Sequence, residues 1–169
     1  MLEISAQVTE PSSSRSTEAK IYANETFNFK VTIPGEWRAY DDETEGEKKL
    51  LVQWELPGYR NEESGTFVES NVYIRAFRSE STTNVDNMIL NAYLSIAGKP
   101  IALSAEEGTD FDSRILYMDM EDGSKYKGKV YFKYNNGVGY RITYMTRPWV
   151  YEKDLAAYEA FIDSLEFID

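Results

Sequence analysis

The stretch FNFKVTIPGEW, residues 27–37, decides how the chain folds. Its apolar side chains alternate with polar ones, a period of two that is typical of a β-strand with one buried face. Pro34-Gly35 then ends the strand, because proline lacks an amide hydrogen for the sheet and glycine readily adopts turn conformations. The apolar face of this strand needs a covering layer, and we expect Trp37 to fill the side or the end of the resulting core.

The same alternation predicts the other strands. They lie at residues 50–56, 68–77, 113–120, 125–135 and 138–146. Residues 68–77 are half apolar on both faces, which indicates a strand that is covered on both sides. Asn136-Gly137 supplies the positive φ angles of a tight turn, so the last two strands are predicted to form a hairpin.

Two amphipathic helices are predicted, at residues 84–97 and 151–164. Thr83 and Asp86 fit a capping box for the first helix, and Phe167-Ile168 is predicted to return as an edge strand. Hairpin-linked strands with two helices indicate an α+β domain. We expect a mostly antiparallel, twisted sheet that begins with the strand at the head of the domain and is flanked by both helices.

The chain of 169 residues is predicted to form one domain with a tail. Residues 1–20 are polar and rich in serine, which favours a flexible tether before a domain at 21–169; an ordinary frayed terminus is the alternative. No apolar segment typical of a secretory signal follows Met1. No run of about 18 apolar residues occurs, so we expect no membrane span.

Composition excludes several kinds of chemistry. The sequence contains no cysteine and no histidine, which removes disulfides, thiolate zinc sites, cysteine nucleophiles and histidine-dependent triads. It has 18 basic and 29 acidic residues, a net charge of −11, and such a field repels a nucleic acid backbone or an anionic lipid surface. We therefore expect a protein without cofactor, catalytic motif or nucleic acid partner.

Four blocks, taken in order, resemble the PsbP-like family. They are FNFKVTIPGEW (27–37), SNVYIRAF (70–77), MILNAYLSIAGK (88–99) and the closing hairpin and helix (128–168). They match an opening strand, a core strand, a long helix and a C-terminal unit, so that the resemblance covers most of residues 25–168. It implies an α/β/α sandwich around an antiparallel sheet.

The resemblance also implies a compartment. Bacterial members of the DcrB type are extracytoplasmic and often carry a lipid anchor on a cysteine before a polar tether, so an anchor upstream of residue 1 is one expectation. The family is mostly non-enzymatic, and a fold alone implies no activity. Members in photosystem II hold metal with histidines and acids; because this chain has no histidine, that metal site is not carried over. Nucleocytoplasmic Ran binding, known in the family, is an alternative that rests on fold analogy.

The segment TRPWVYEK, residues 146–153, is the candidate binding site. It connects the hairpin to the last helix, and connections often carry binding residues. Arg147, Trp149 and Tyr151 offer an amphipathic surface suited to a protein partner. Trp149 closing the core where the helix folds back is the structural alternative. A carbohydrate or small-ligand module with aromatic platforms is the second functional hypothesis, and a hydrolase with two carboxylates in one pocket is the third.

Acidic clusters suggest a cation site only weakly. Asp41, Asp42, Glu43, Glu45 and Glu47 alternate as calcium ligands do, and Gly46 takes the sixth position counted from Asp41. The twelfth position is Val52, where an EF-hand requires glutamate, so a solvated loop is the favoured interpretation. The acids Asp110, Asp112, Asp119, Glu121 and Asp122 are explained by turn chemistry. We expect no metal site.

Overall fold

A computed structural model describes residues 18–40, 44–80, 83–95, 102–104, 113–119 and 123–168. The helices in these ranges are α1 (Val85–Ser95) and α2 (Tyr151–Asp163). The strands are β1 (Lys20–Asn24), β2 (Phe29–Ile33), β3 (Arg38–Ala39), β4 (Thr44–Glu45), β5 (Lys49–Glu55), β6 (Tyr59–Arg60), β7 (Phe67–Val68), β8 (Asn71–Phe77), β9 (Ala102–Ser104), β10 (Ser113–Asp119), β11 (Lys125–Asn135), β12 (Val138–Thr146) and β13 (Glu166–Phe167). Neither described helix is long and apolar enough to cross a bilayer.

The main sheet is antiparallel, with the strand order β3-β5-β8-β12-β11-β10-β9 and with β4 also paired to β5. Its centre is the predicted hairpin, in which Asn135 pairs with Val138. The turn residues Asn136 and Gly137 have φ angles of 48° and 80°, as the right-handed twist of a two-residue hairpin requires. Strand β8 lies between β5 and β12; one of its faces (Val72, Ile74, Ala76) is buried, whereas the other is half-buried at Tyr73 and Phe77 and exposed at Arg75, so the predicted cover on both sides is only partial.

The opening strand β2 does not belong to the main sheet, and the expectation of one continuous sheet is wrong. It forms a separate three-stranded sheet in the order β1-β2-β13. Both hydrogen-bonding edges of β2 are used by short strands, β1 and β13, so its apolar face is buried by packing rather than by strand pairing. Phe29 contacts Tyr140 of the main sheet with ring centroids 5.7 Å apart, and Tyr22 contacts Trp54 at 5.6 Å.

The two helices cover opposite faces of the main sheet. Tyr158 of α2 stacks on Tyr144 at 5.3 Å and donates a hydrogen bond to the carbonyl of Ile142 (2.9 Å). Met88 of α1 packs instead with Val130 and Phe132, whose register partners on β12 alternate with Ile142 and Tyr144. The α/β/α layering is therefore confirmed, with the small sheet sharing the layer of α2.

Two local predictions have different outcomes. Trp37 is 8% exposed and meets Phe161 of α2 at 5.1 Å, so it fills the core as expected. The capping residue of α1 is Asn84 rather than Thr83, because the Oδ1 atom of Asn84 accepts the Asn87 amide (2.9 Å). The helix begins one residue later than the proposed box requires, and the position that caps is the one directly before the first helical residue.

Candidate functional site

A short hairpin that the sequence analysis missed stands beside the predicted binding segment. It consists of β6 and β7, in which Tyr59 pairs with Val68 and Arg60 with Phe67. Its turn is fixed by the Oδ1 atom of Asn61, which accepts the amides of residues 63 and 64, each at 3.0 Å. Asparagine and glycine chemistry at residues 61–65 is the signal that would have located this turn.

A groove of about 390 Å³ separates this hairpin from the connection before α2. We call it the Trp149 groove. It is lined by Ser64, Thr66 and Val68 on the hairpin side and by Lys125, Arg147 and Trp149 on the other. Trp149 is 37% exposed, so closure of the core does not by itself account for its position. Within the part of the chain that the structure describes, two cations and no carboxylate line this groove.

Arg147 is held in one orientation at the groove. Its guanidinium lies over the ring of Tyr126, 4.2 Å from the centroid, and its Nη1 atom donates to the carbonyl of Lys125 (3.4 Å). A cation over an aromatic face gains about 0.5–1 kcal/mol at an exposed site. Because the side chain is already ordered, less conformational entropy is lost when an anionic group binds to it.

Tyr151 does not belong to the exposed surface, and its assignment to the binding site is wrong. It is 2% exposed and stacks on Tyr144 at 5.6 Å, while the ammonium of Lys127 covers its ring at 4.1 Å. As the first residue of α2 it lies on the helix face that meets the sheet. The structure therefore brings Arg147 and Trp149 together at one groove and places Tyr151 in the core beneath.

A buried polar network ties the hairpin wall to α2 and to β12. The Ser70 hydroxyl donates to Oδ2 of Asp154 (2.6 Å) and hydrogen-bonds with the Thr146 hydroxyl (2.8 Å). The Tyr59 hydroxyl donates to Oδ1 of Asp154 (3.1 Å). Burial, and next the negative charge of Asp154, raise the pKa of Tyr59. Residues that are distant in sequence thus fix the wall of the Trp149 groove.

The described parts of the acidic clusters form no cation site. Residues 41–43 of the acidic loop lie outside the described residues, and Glu47 is exposed. Asp110, Asp112, Glu121 and Asp122 also lie outside the described ranges. Among the residues that the structure describes, no three acidic side chains are grouped to hold a metal ion.

Comparison with known proteins identifies the fold. The chain is similar to the solution structure of cyanobacterial PsbP (CyanoP) from Synechocystis sp. PCC 6803, with a TM-score of 0.50 and 13% identity over 95% of this chain and 98% of that one. It is also similar to a crystal structure from Bacteroides thetaiotaomicron VPI-5482, with a TM-score of 0.51 and 19% identity over 89% of this chain. The match covers 48% of the Bacteroides chain, so this protein spans about half its length.

No protein-family model matches the sequence, and no curated protein matches it either. At 13% and 19% identity the two structural matches establish the fold and nothing beyond it. The PsbP-like fold implied by the ordered sequence blocks is thereby confirmed. What the fold is used for has to be argued from the surface of this chain.

Proposed function

We propose that this protein is a non-catalytic, extracytoplasmic PsbP-like protein that binds a protein partner through the Trp149 groove. The observation that supports this most directly is the pairing of an exposed tryptophan, 37% accessible, with two cations in a groove that no acid lines among the described residues. Tryptophan and arginine are the residue types most enriched among the positions that dominate binding energy. The groove stands out because the chain as a whole carries a net charge of −11.

The chemistry of the groove suggests what the partner presents. Lys125 and Arg147 favour an acidic side chain, while Val68 and the ring of Trp149 favour an apolar one. A segment that combines the two would match the groove in charge and in hydrophobicity. The hydrogen-bond network at Asp154 keeps the hairpin wall in place, so that little ordering accompanies binding.

Extracytoplasmic residence and tethering to a cell envelope belong to the same proposal. They are supported by the PsbP-like fold and by the polar composition of residues 1–20. Residues 1–17 of the proposed tether lie outside the described residues. Fractionation of cells that express the native gene tests the compartment, and recovery of the protein in the cytosolic fraction would contradict it.

Site-specific photocrosslinking tests the groove. A photoreactive amino acid in place of Trp149 is expected to yield one discrete adduct in envelope extracts. The same probe in place of Leu90, which is 55% exposed on α1, serves as the matched control and should not. An identical adduct pattern from both positions would show that contact is unspecific and would overturn the assignment.

Alanine substitution adds a quantitative test. Trp149→Ala together with Arg147→Ala is expected to weaken the crosslinked complex about thirtyfold or more, since truncating a dominant contact costs about 2 kcal/mol. Both side chains are at the surface, so the unfolding midpoint should stay nearly unchanged. Unaltered capture by a folded double variant would contradict the proposal.

The carbohydrate alternative receives less support. Sugar binding by aromatic platforms favours several exposed rings, whereas Trp149 is the one aromatic side chain among the described residues that line the groove. A glycan array separates the two ideas: binding that Trp149→Ala abolishes would favour the carbohydrate hypothesis. A hydrolase with paired carboxylates has no support at this groove, because none of the described residues that line it is acidic.

A further inference from the structure

A second concave surface lies on the other face of the main sheet, where α1 covers only part of it. We call it the α1 cleft. Its volume is about 440 Å³, within the roughly 300–1,000 Å³ that is typical of small-molecule sites. The side chains that matter here are Lys49, Leu51, Arg75, Phe77 and Arg141, with the fully buried Phe132 beneath. None of the described residues that line this cleft is acidic.

Strand register places two arginines side by side in the floor. Leu51 on β5 pairs with Arg75 on β8, Arg75 pairs with Arg141 on β12, and Arg141 pairs with Phe132 on β11. The four side chains form one row across four strands, with the two cations in the middle and an apolar residue at each end. Directly opposed like charges on neighbouring strands destabilise a sheet, so this arrangement has a cost in the free protein.

Nothing in the described ranges offsets that cost with an ion pair. The carboxylate pairs found there involve Lys30, Arg38 and Lys129, and neither arginine of the row. Arg75 lies 5.8 Å from the centroid of the Tyr73 ring, a contact that orients the cation without neutralising it. Burial lowers the pKa of Arg141; the interaction with Tyr73 offsets part of this, and the nearby charge of Arg75 adds to it. Both features indicate a position where an anion would be stabilised.

Apart from the three cations and Asn91, the described lining of the cleft is apolar. Phe77 lies two residues beyond Arg75 on the same face of β8 and is half-buried, as is Leu51. Met88 of α1 packs on the buried Phe132 and closes the far side. A ligand that reached both arginines would therefore lay the rest of its surface on hydrocarbon, which is favourable only if that part is itself apolar.

We propose that the α1 cleft binds a small amphipathic carboxylate. The carboxylate accepts hydrogen bonds from the guanidinium groups of Arg75 and Arg141, whose planar donors match its geometry. The apolar body lies on Leu51 and Phe77. A singly charged head group fits better than a dianion, because Arg141 is half-buried and the desolvation of a second negative charge would add to the cost. Lys49 at the rim adds a third cation.

Calorimetric titration with decanoate tests the site in the full chain. Decanol, which has the same tail without charge, and acetate, which has the charge without the tail, are the ligand controls. Decanoate is expected to bind at one site at least tenfold more tightly than either control. Equal binding of decanoate and decanol, or no decanoate binding, would overturn the proposal.

Three variants locate the site. Arg75→Met and Arg141→Met, which keep an unbranched apolar stem and remove the guanidinium group, should each weaken decanoate binding at least about tenfold, as expected for a hydrogen bond to a charged group. Lys133→Met removes the same charge on the opposite face of β11 and is the matched control. Its binding should equal that of the unaltered protein, and an equal loss in all three would overturn the assignment.

A further variant supplies the missing carboxylate from the protein itself. Leu51→Glu places an acid directly opposite Arg75, where it should abolish decanoate binding and raise the unfolding midpoint. Arg75→Met and Arg141→Met should also raise the midpoint of the ligand-free protein, because each relieves the repulsion between the arginines. If the midpoint falls in all of these variants, the two cations are not in conflict and the reasoning fails.

Discussion

Replacing Asp154 with alanine tests how the wall of the Trp149 groove is held. Asp154 is 6% exposed and accepts hydrogen bonds from Ser70 (0% exposed, 2.6 Å) and Tyr59 (3.1 Å). A hydrogen bond to a charged group contributes about 1.5–3 kcal/mol. The half-buried Tyr59 hydroxyl can hydrogen-bond to water in the variant. We therefore expect the free energy of unfolding to fall by about 3 kcal/mol, which lowers the unfolding midpoint by about 6–12 °C for a domain of this size.

The matched control is Glu152→Ala. Glu152 lies in the same first turn of α2 as Asp154 but is exposed, so the two variants share any effect of removing an acid near the helix N-terminus. Urea unfolding followed by tryptophan fluorescence gives both free energies. We expect Glu152→Ala to change stability by less than about 1 kcal/mol. If Asp154→Ala costs no more than Glu152→Ala, the buried network does not stabilise the fold.

A double-mutant cycle isolates the contact itself. Ser70→Ala and Asp154→Ala remove the two sides of the 2.6 Å hydrogen bond, and together they should cost at least about 1 kcal/mol less than the sum of the single variants. Additive losses would show that the two residues act separately. In that case this hydrogen bond would not fix the β6–β7 hairpin to α2.

Two further predictions concern the core. Burial raises the pKa of Tyr140 to about 12, whereas a tyrosine in the unfolded chain has a pKa near 10. Between these two values the unfolded state loses the proton first. The free energy of unfolding should therefore fall by up to about 1.4 kcal/mol per pH unit as the pH rises. Urea midpoints between pH 9 and 11.5 should decline less steeply in Tyr140→Phe, and parallel curves would contradict this. Gly128→Ala places a methyl carbon 2.2 Å from a backbone oxygen of β12 and should cost about 3 kcal/mol. Gly46→Ala, with its nearest atom at 3.9 Å, is the control, and equal losses in urea unfolding would refute the expected clash.

The parts of the fold that the sequence predicts well are those set by local chemistry. The hairpin 125–146 is predicted to the residue, because Asn136-Gly137 fixes the turn and period-two alternation fixes the faces. Helix α2 is predicted to within one residue at its end for the same reason: its apolar stripe and its length are encoded within a single segment. Such features need no knowledge of what packs against them.

Pairing between distant segments is what the sequence leaves open. Strand β13 pairs with β2 through Phe167 and Phe29, which lie near opposite ends of the sequence. With two residues, β13 is too short to show a periodic pattern. The alternation in β2 correctly predicted one buried face. It does not indicate which strands pair with the two edges of β2. Tyr151 was misplaced in the same way, since an aromatic residue at the start of a helix suits the core and the surface equally well.

Both concave surfaces described above are basic in a strongly acidic protein. The Trp149 groove is lined by Lys125 and Arg147, and the α1 cleft by Lys49, Arg75 and Arg141, while the chain has 29 acidic and 18 basic residues. At physiological ionic strength charges are screened over about 8 Å. A group inside either cavity therefore interacts mainly with the cations that line it, and the acidic remainder of the surface acts chiefly at longer range and in dilute salt. Net charge thus argues against nucleic acid and anionic membranes as partners, yet it does not argue against a small anion or an acidic peptide segment that enters one of these cavities.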